Sequence, residues 1–349
     1  MMRFLGTKQR MALRVGSCLA VLVLFAGGAA RAQEDPMTQV HSDTPAPKPP
    51  GPPKVLIQGA DNVVRNATSS RDAEIRVDVN LVLVPVSVTD PRDRLVTGLE
   101  KENFSVFDSN VQQNLKTFST EDAPVTIGIV FDLSGSMTSK FVRARKALSE
   151  FLRTSNPKDE FFVVGFNDRP AVIVDYTSDV NDVDARMVML KPENRTALID
   201  AIYLGVDKLK QGKYDRKALL IVSDGGDNRS RYTAKELQRV VRESDVQIYA
   251  MGIFDLYAPT VEEQNGPGLL SDICDMTGGR MFKVMDLNDL SDIASRISAE
   301  LRNEYVLGYR PSEVKTDGSW RKLKVTLQPP PGLPTLTVHS RQGYYAPLE

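Results

Sequence analysis

Histidine is almost missing from this chain. His41 lies in a proline-rich stretch near the amino end and His339 close to the carboxyl end, with none between them. A Ser-His-Asp triad inside the long central region is therefore excluded. Cysteine is equally scarce, with Cys18 inside an early apolar run and Cys274 among Leu269, Leu270 and Ile273. Once that early run is removed no internal disulfide can form, and the company of Cys274 marks a core residue rather than a nucleophile. Neither G-x-G-x-x-G after a strand nor G-x-x-x-x-G-K-[ST] occurs, which removes the common phosphate-cradling loops. An excess of positive charge is also lacking. Five of the basic residues and no acidic one fall within the first 32 positions, so the remainder carries 39 basic against 45 acidic residues. A mildly acidic chain offers no electrostatic footprint for nucleic acid. Finally, the apolar run Val15 to Ala26 is too short for an ordinary membrane span, and none of spanning length follows it.

What is present divides the chain into five segments. Residues 1–32 read as a secretory leader: a basic start, the apolar run, then Ala30-Arg31-Ala32 as a small-x-small cleavage pattern. This predicts an exported protein, periplasmic or extracellular, without stable membrane insertion after cleavage. Residues 33–72, with Pro45, Pro47, Pro49, Pro50, Pro52 and Pro53, read as an extended tether. Residues 73–122 are β-rich. Ile75, Val77, Val79, Leu81 and Leu83 alternate in one phase and Val84, Val86 and Val88 in the other, which predicts a bulge or bend between them. Phe104 to Val106 and Asn114 to Lys116 read as further short strands. Residues 303–349 supply Tyr305 to Tyr309, the alternating Leu323, Val325 and Leu327, and Leu336 with Val338. Each flank alone has too few strands to bury an apolar face, so the two are expected to pair into one small β-sandwich.

Residues 123–302 alternate strand and helix. Buried strands are expected at Thr126 to Phe131, Phe161 to Phe166, Ala218 to Val222 and Val246 to Ala250. Helices are expected at Lys140 to Thr154, Ala197 to Lys210, Ala234 to Arg242, Leu269 to Met276 and Leu287 to Leu301. The fold class is α/β: a doubly wound, mostly parallel sheet flanked by helices, inserted in the sandwich formed by the flanks.

The chemistry collects on turns after these strands. Asp132-Leu133-Ser134-Gly135-Ser136 follows the first one, at the carboxyl end where open α/β sheets bind ligands. Thr196 stands where a helix begins, and Asp224 follows the strand Ala218 to Val222. All five side chains offer hard oxygen donors, which suit magnesium, with manganese or calcium as alternatives. Ser, Thr and Asp are also ordinary cap and turn residues, and the full set of five in order is what argues for a site. Asp227, Asn228 and Ser230 are read as shaping the last loop and Asp200 as supporting it.

The ordered set Asp132, Ser134, Ser136, Thr196 and Asp224 resembles the metal-ion-dependent adhesion site of the von Willebrand factor A domain family, over roughly Val125 to Arg302. The flanks, with Asn303 to Tyr309 and Gly343 to Tyr345, resemble exported bacterial proteins of the acidobacterial type that carry this domain. The resemblance implies metal contacts through the hydroxyls of Ser134, Ser136 and Thr196, with Asp132 and Asp224 acting directly or through water. It also implies a partner Asp or Glu carboxylate completing the shell. The reading is a metal-dependent protein-binding module for adhesion or assembly. The alternatives are an envelope scaffold with a structural metal and a magnesium-dependent hydrolase. Dehalogenase-type phosphatases need a second Asp where Ser134 stands, so no catalytic residue is assigned.

Overall fold

The computed structural model describes residues 81–120, 122–254 and 261–348. The expected leader, the tether, the start of the first β segment at Ile75 to Val79, and part of the loop from Asp255 lie outside them. Among the described residues no helix is long and apolar enough to cross a membrane.

The first flank forms β1 (Val82–Thr89), β2 (Phe104–Asp108), β3 (Val111–Gln113) and β4 (Leu115–Ser119). Then follow β5 (Thr126–Asp132), α1 (Phe141–Thr154), β6 (Glu160–Phe166), β7 (Pro170–Thr177), α2 (Val180–Val188), α3 (Leu198–Leu209), β8 (Lys217–Ser223), α4 (Ala234–Glu243), β9 (Val246–Gly252), α5 (Val261–Thr277), β10 (Met281–Lys283) and α6 (Leu290–Arg302). The last flank adds β11 (Tyr305–Tyr309), β12 (Trp320–Leu327), β13 (Thr337–Ser340) and β14 (Gly343–Tyr345).

The central six-stranded sheet has the order β10-β9-β8-β5-β6-β7. It is parallel except for β7, which returns antiparallel to β6. Every residue of β5 is buried, as befits a central strand covered on both faces. Its alternate side chains serve two cores. Ile127, Ile129 and Phe131 pack with Leu148, Phe151 and Ile297 of α1 and α6. Val130 packs with Ile202 and Val206 of α3 and with Leu219 and Ile221 of β8. A Cβ on Gly205 would stand 2.9 Å from Leu219 and 3.0 Å from Val130. Glycine there lets α3 lie close against the sheet, which fixes the start of α3 and Thr196 just before it.

The flanks meet as expected. One antiparallel sheet has the order β13-β1-β11-β4 and the other β14-β12-β2-β3. Both sheets mix strands from the two ends of the chain, alternating in the first and meeting at β12 and β2 in the second, with Val84 opposite Leu307 and Val325 opposite Val106. Val84, Val86, Phe104, Tyr305, Leu307 and Leu323 share one core between the sheets. A carboxylate is buried there too. Asp108 accepts from Arg321 Nε at 2.9 and 3.0 Å, and the hydroxyls of Tyr309 and Tyr344 each donate to it at 2.9 Å.

Four details differ from the sequence reading. Between Val82 and Val86 the pairing of β1 with β11 has no register shift; Val84, Val86 and Val88 face the core while Leu83 stays 48% exposed on the outer face. The change of phase there marks an exposed leucine and no bulge. The expected strand Asn114 to Lys116 falls at the start of β4, and the unexpected β3 just before it belongs to the opposite sheet. The helix expected from Leu269 starts at Val261 and runs through Pro267. Helix α2 was not anticipated, because its apolar residues Val183 and Met187 make too short a stripe.

Asp108 yields a stability test. Asp108→Ala leaves Arg321 buried without its partner, which should cost about 3–5 kcal/mol in urea denaturation. A loss below about 1 kcal/mol would show that the pair contributes no more than an exposed one.

Candidate metal site at the carboxyl edge of the central sheet

Asp132 is the last residue of β5, Ser223 is the last of the neighbouring β8, and Asp224 follows it directly. Adjacent parallel strands thus deliver two carboxylates to the same edge. Both are fully buried. Asp132 Oδ1 accepts the Ser134 N–H at 2.9 Å, closing a local turn, and Oδ2 accepts the Ser223 hydroxyl at 2.6 Å. Ser223 Oγ in turn accepts the Gly225 N–H at 3.0 Å. Gly225 has φ +82° and lies where a Cβ would meet Gly266 Cα at 2.9 Å, so only glycine makes this turn. Burial, and next the charge of Asp224, push the Asp132 carboxyl up to about 7.

The Thr196 loop is tied to both carboxylate loops. Glu193 N–H donates to Leu133 O at 2.8 Å and Gly135 N–H to Asn194 O at 3.0 Å. On the other side Thr196 N–H donates to Asn228 Oδ1 at 3.1 Å, while Asn228 and Arg229 N–H groups donate back to Thr196 O. The loop 166–168 joins the same corner, since Ala197 N–H donates to Asn167 O at 2.9 Å. All five residues singled out in the sequence therefore lie on loops bonded to one another at one sheet edge.

Their hydroxyls are not spent on capping. Ser134 precedes the short 3-10 turn Gly135–Met137 without a side-chain cap bond, and α3 is capped by Ala197, not Thr196. The Ser134 and Ser136 hydroxyls contact each other at 3.0 Å. Thr196 is 5% exposed, and its hydroxyl makes no hydrogen bond among the described residues. Among those residues no group of three or more His, Cys, Asp and Glu side chains could hold a metal. The donor set here is two carboxylates and three hydroxyls. Oxygen donors with little formal charge fit a hard divalent cation, and a cation between Asp132 and Asp224 would relieve their repulsion.

The supporting residues behave as expected. Asp227 Oδ1 accepts from Arg229 and Ser230 N–H groups. Asp200 accepts from the Arg231 and Tyr232 N–H groups and from Arg231 Nε at 3.0 Å. Beside the site, but not at its carboxylates, a cleft of about 710 Å³ is lined by Asp168, Arg169, Tyr203, Arg229 and Tyr232. The expected core role of Cys274 holds: it is fully buried, and burial pushes its thiol up.

Two residues escaped the sequence reading. Ser223, the last residue of β8 beside Asp224, is the hydroxyl partner of Asp132. Lys140, at the N-cap of α1, places Nζ 3.3 Å from Asp224 Oδ2. The available signal was a cation at a helix start, where the dipole disfavours it.

Within this α/β region, residues 127–226 match the model of the von Willebrand factor type A domain. Among solved structures the chain is similar to BatB from Bacteroides thetaiotaomicron, at 16% identity and TM-score 0.40, over 50% of this chain and 98% of that one. It is similar also to a von Willebrand factor type A protein from Catenulispora acidiphila, at 14% identity and TM-score 0.45, over 77% and 74%. A third similar structure, at 17% identity and TM-score 0.45 over 56% and 49%, is proximal thread matrix protein 1 of the mussel byssus, described with a zinc-occupied MIDAS motif. No curated protein matches the chain.

The Asp132 carboxyl makes stability depend on pH when metal is chelated. Its value is pushed from 3.8 to about 7 in the folded chain, so the folded state holds a proton that the unfolded state has released. That stabilisation is complete below about pH 4 and fades as pH rises through about 7. Glu300, also pushed up to about 7, and His339, held down at about 4, titrate in the same window. The difference between wild type and Asp132→Asn isolates the group. In chelator, the stability of wild type relative to this variant should fall from pH 4 to pH 7 in thermal unfolding; a constant difference would contradict the assignment.

Proposed function

We propose that this chain is an exported, divalent-cation-dependent protein-binding module. Magnesium, or manganese or calcium in its place, would be held by Asp132, Ser134, Ser136, Thr196 and Asp224. An Asp or Glu carboxylate of a protein partner would complete the shell. The observation that carries the reading is that three hydroxyls, none of them used as a helix cap, share one sheet edge with two buried carboxylates. A cation in such a set stays under-neutralised, so an outside anion gains more there than at a cage of carboxylates.

A single metal contact is too small for a stable complex, and the surrounding face must add area. Arg169, Arg195 and Arg229 lie on the three loops that meet at Thr196. All are exposed and without an ion pair among the described residues. They suit an acidic partner surface. Export rests on the leader pattern of residues 1–32.

The test is a pull-down from the envelope fraction of the producing cell, with magnesium and with chelator. Thr196→Ala should weaken partner binding by about tenfold or more, equivalent to about 1.4 kcal/mol, with an unchanged circular dichroism spectrum. Asp132→Ala should weaken it further, and chelation should mimic both and be reversed by magnesium. Equal capture in chelator, or by both variants, would remove the support for this reading.

A further inference from the structure

Lys140 is an odd residue to find at the start of α1. It occupies the N-cap with no side-chain cap bond. Lysine has no acceptor for the free N–H groups there, and its charge adds to the positive end of the helix dipole. Its side chain is 14% exposed, against 0% for Asp224, the carboxylate it faces. A largely buried ammonium is costly unless paired, so the placement has a local cause. Its ammonium is 3.3 Å from Asp224 Oδ2, and Asp224 in turn acts electrostatically on Asp132.

We propose that Lys140 is the built-in counter-cation of this site, and that it sets both the affinity for the divalent metal and the demand of the loaded site for an anionic guest. The proposal rests on the reading of the five oxygen donors as a cation site. The charge balance gives its content. With both carboxylates ionised, Asp132, Asp224 and Lys140 sum to −1. A divalent cation brings the set to +1, and one guest carboxylate brings it to zero. Without Lys140 the two carboxylates carry −2, the metal alone neutralises them, and no charge remains to draw an anion. At a buried edge these differences are poorly screened.

A metal arriving at Asp224 meets the ammonium. Either Lys140 stays and repels the ion, or it gives up its pair and swings out on its flexible stem. Both routes weaken metal binding in the absence of a guest, and the guest carboxylate offsets both. Metal and carboxylate then each raise the affinity of the other, by the same factor. The loaded site is held open to anions by a residue that is not itself a ligand.

The experiment is calorimetric titration of manganese into the purified chain. The variants are wild type, Lys140→Met, Lys140→Gln, Lys140→Arg and Thr196→Ala, each with and without excess acetate as the guest anion. Both uncharged variants should bind manganese about tenfold more tightly than wild type and gain less from acetate, while Lys140→Arg stays close to wild type. Without metal, the uncharged variants should melt at lower temperature, because two buried carboxylates lose their counter-cation. The presence of two such variants guards against one that fails to fold. Unchanged or weaker manganese binding by Lys140→Met and Lys140→Gln, beside a wild type that binds, would overturn the role of Lys140 and leave the cation site standing. A wild type that binds no manganese, with Thr196→Ala no different, would overturn both.

Discussion

Two carboxylates kept from water at the end of neighbouring central strands are the constraint on which this structure turns. Asp132 and Asp224 are both fully buried, and burial first, then the charge of Asp224, opposes ionisation of Asp132. Burial of one such group without compensation costs several kcal/mol. The loops around them supply that compensation: the Ser134 N–H and Ser223 hydroxyl on Asp132, and the Gly226 N–H and the Lys140 ammonium on Asp224. These partners do not bring the Asp132 carboxyl back to its ordinary range, because burial first and then the charge of Asp224 hold it up. A site that folds while retaining unresolved negative charge is one to which a cation adds stability.

The second core makes the geometry of the first durable. Strand β4 leads into β5, and α6 leads into β11, while β4 and β11 pair with each other. The entry and exit of the central α/β region are therefore clamped side by side in one antiparallel ladder. Side chains bind the two parts further. Asp93, on the turn after β1, receives Arg280 and Arg296, and Arg280 also pairs with Glu300 of α6. Arg341 reaches Asp245 before β9, and the Gln342 N–H donates to Met276 O at the end of α5. These ties lie away from the edge that carries Asp132 and Asp224.

The fold was legible because its central strands are continuous apolar runs and its helices carry clear stripes. Thr126 to Phe131 and Tyr305 to Tyr309 have bounds within a residue of those expected. Boundaries failed where periodicity gives little purchase. Residues 111–119 switch sheets within a few positions, and α5 begins in a polar stretch around Glu262 and Gln264 with no apolar stripe. At the site, the placement of the five oxygen donors at one edge was readable from spacing after strands. Their identity as ligands is a chemical proposal that placement alone does not make. The Lys140 contact was not readable, because its partner lies 84 positions away and only the side-by-side order of β5 and β8 brings them together.

The central claim is that a divalent cation belongs among these five side chains. The most direct measurement is an anomalous difference map from crystals of the protein grown with manganese. The account predicts one strong peak bounded by the hydroxyls of Ser134, Ser136 and Thr196, on the side of Asp132 and Asp224, with Lys140 displaced from or facing it across Asp224. No peak at that edge at saturating manganese, with Lys140 still bonded to Asp224, would contradict it.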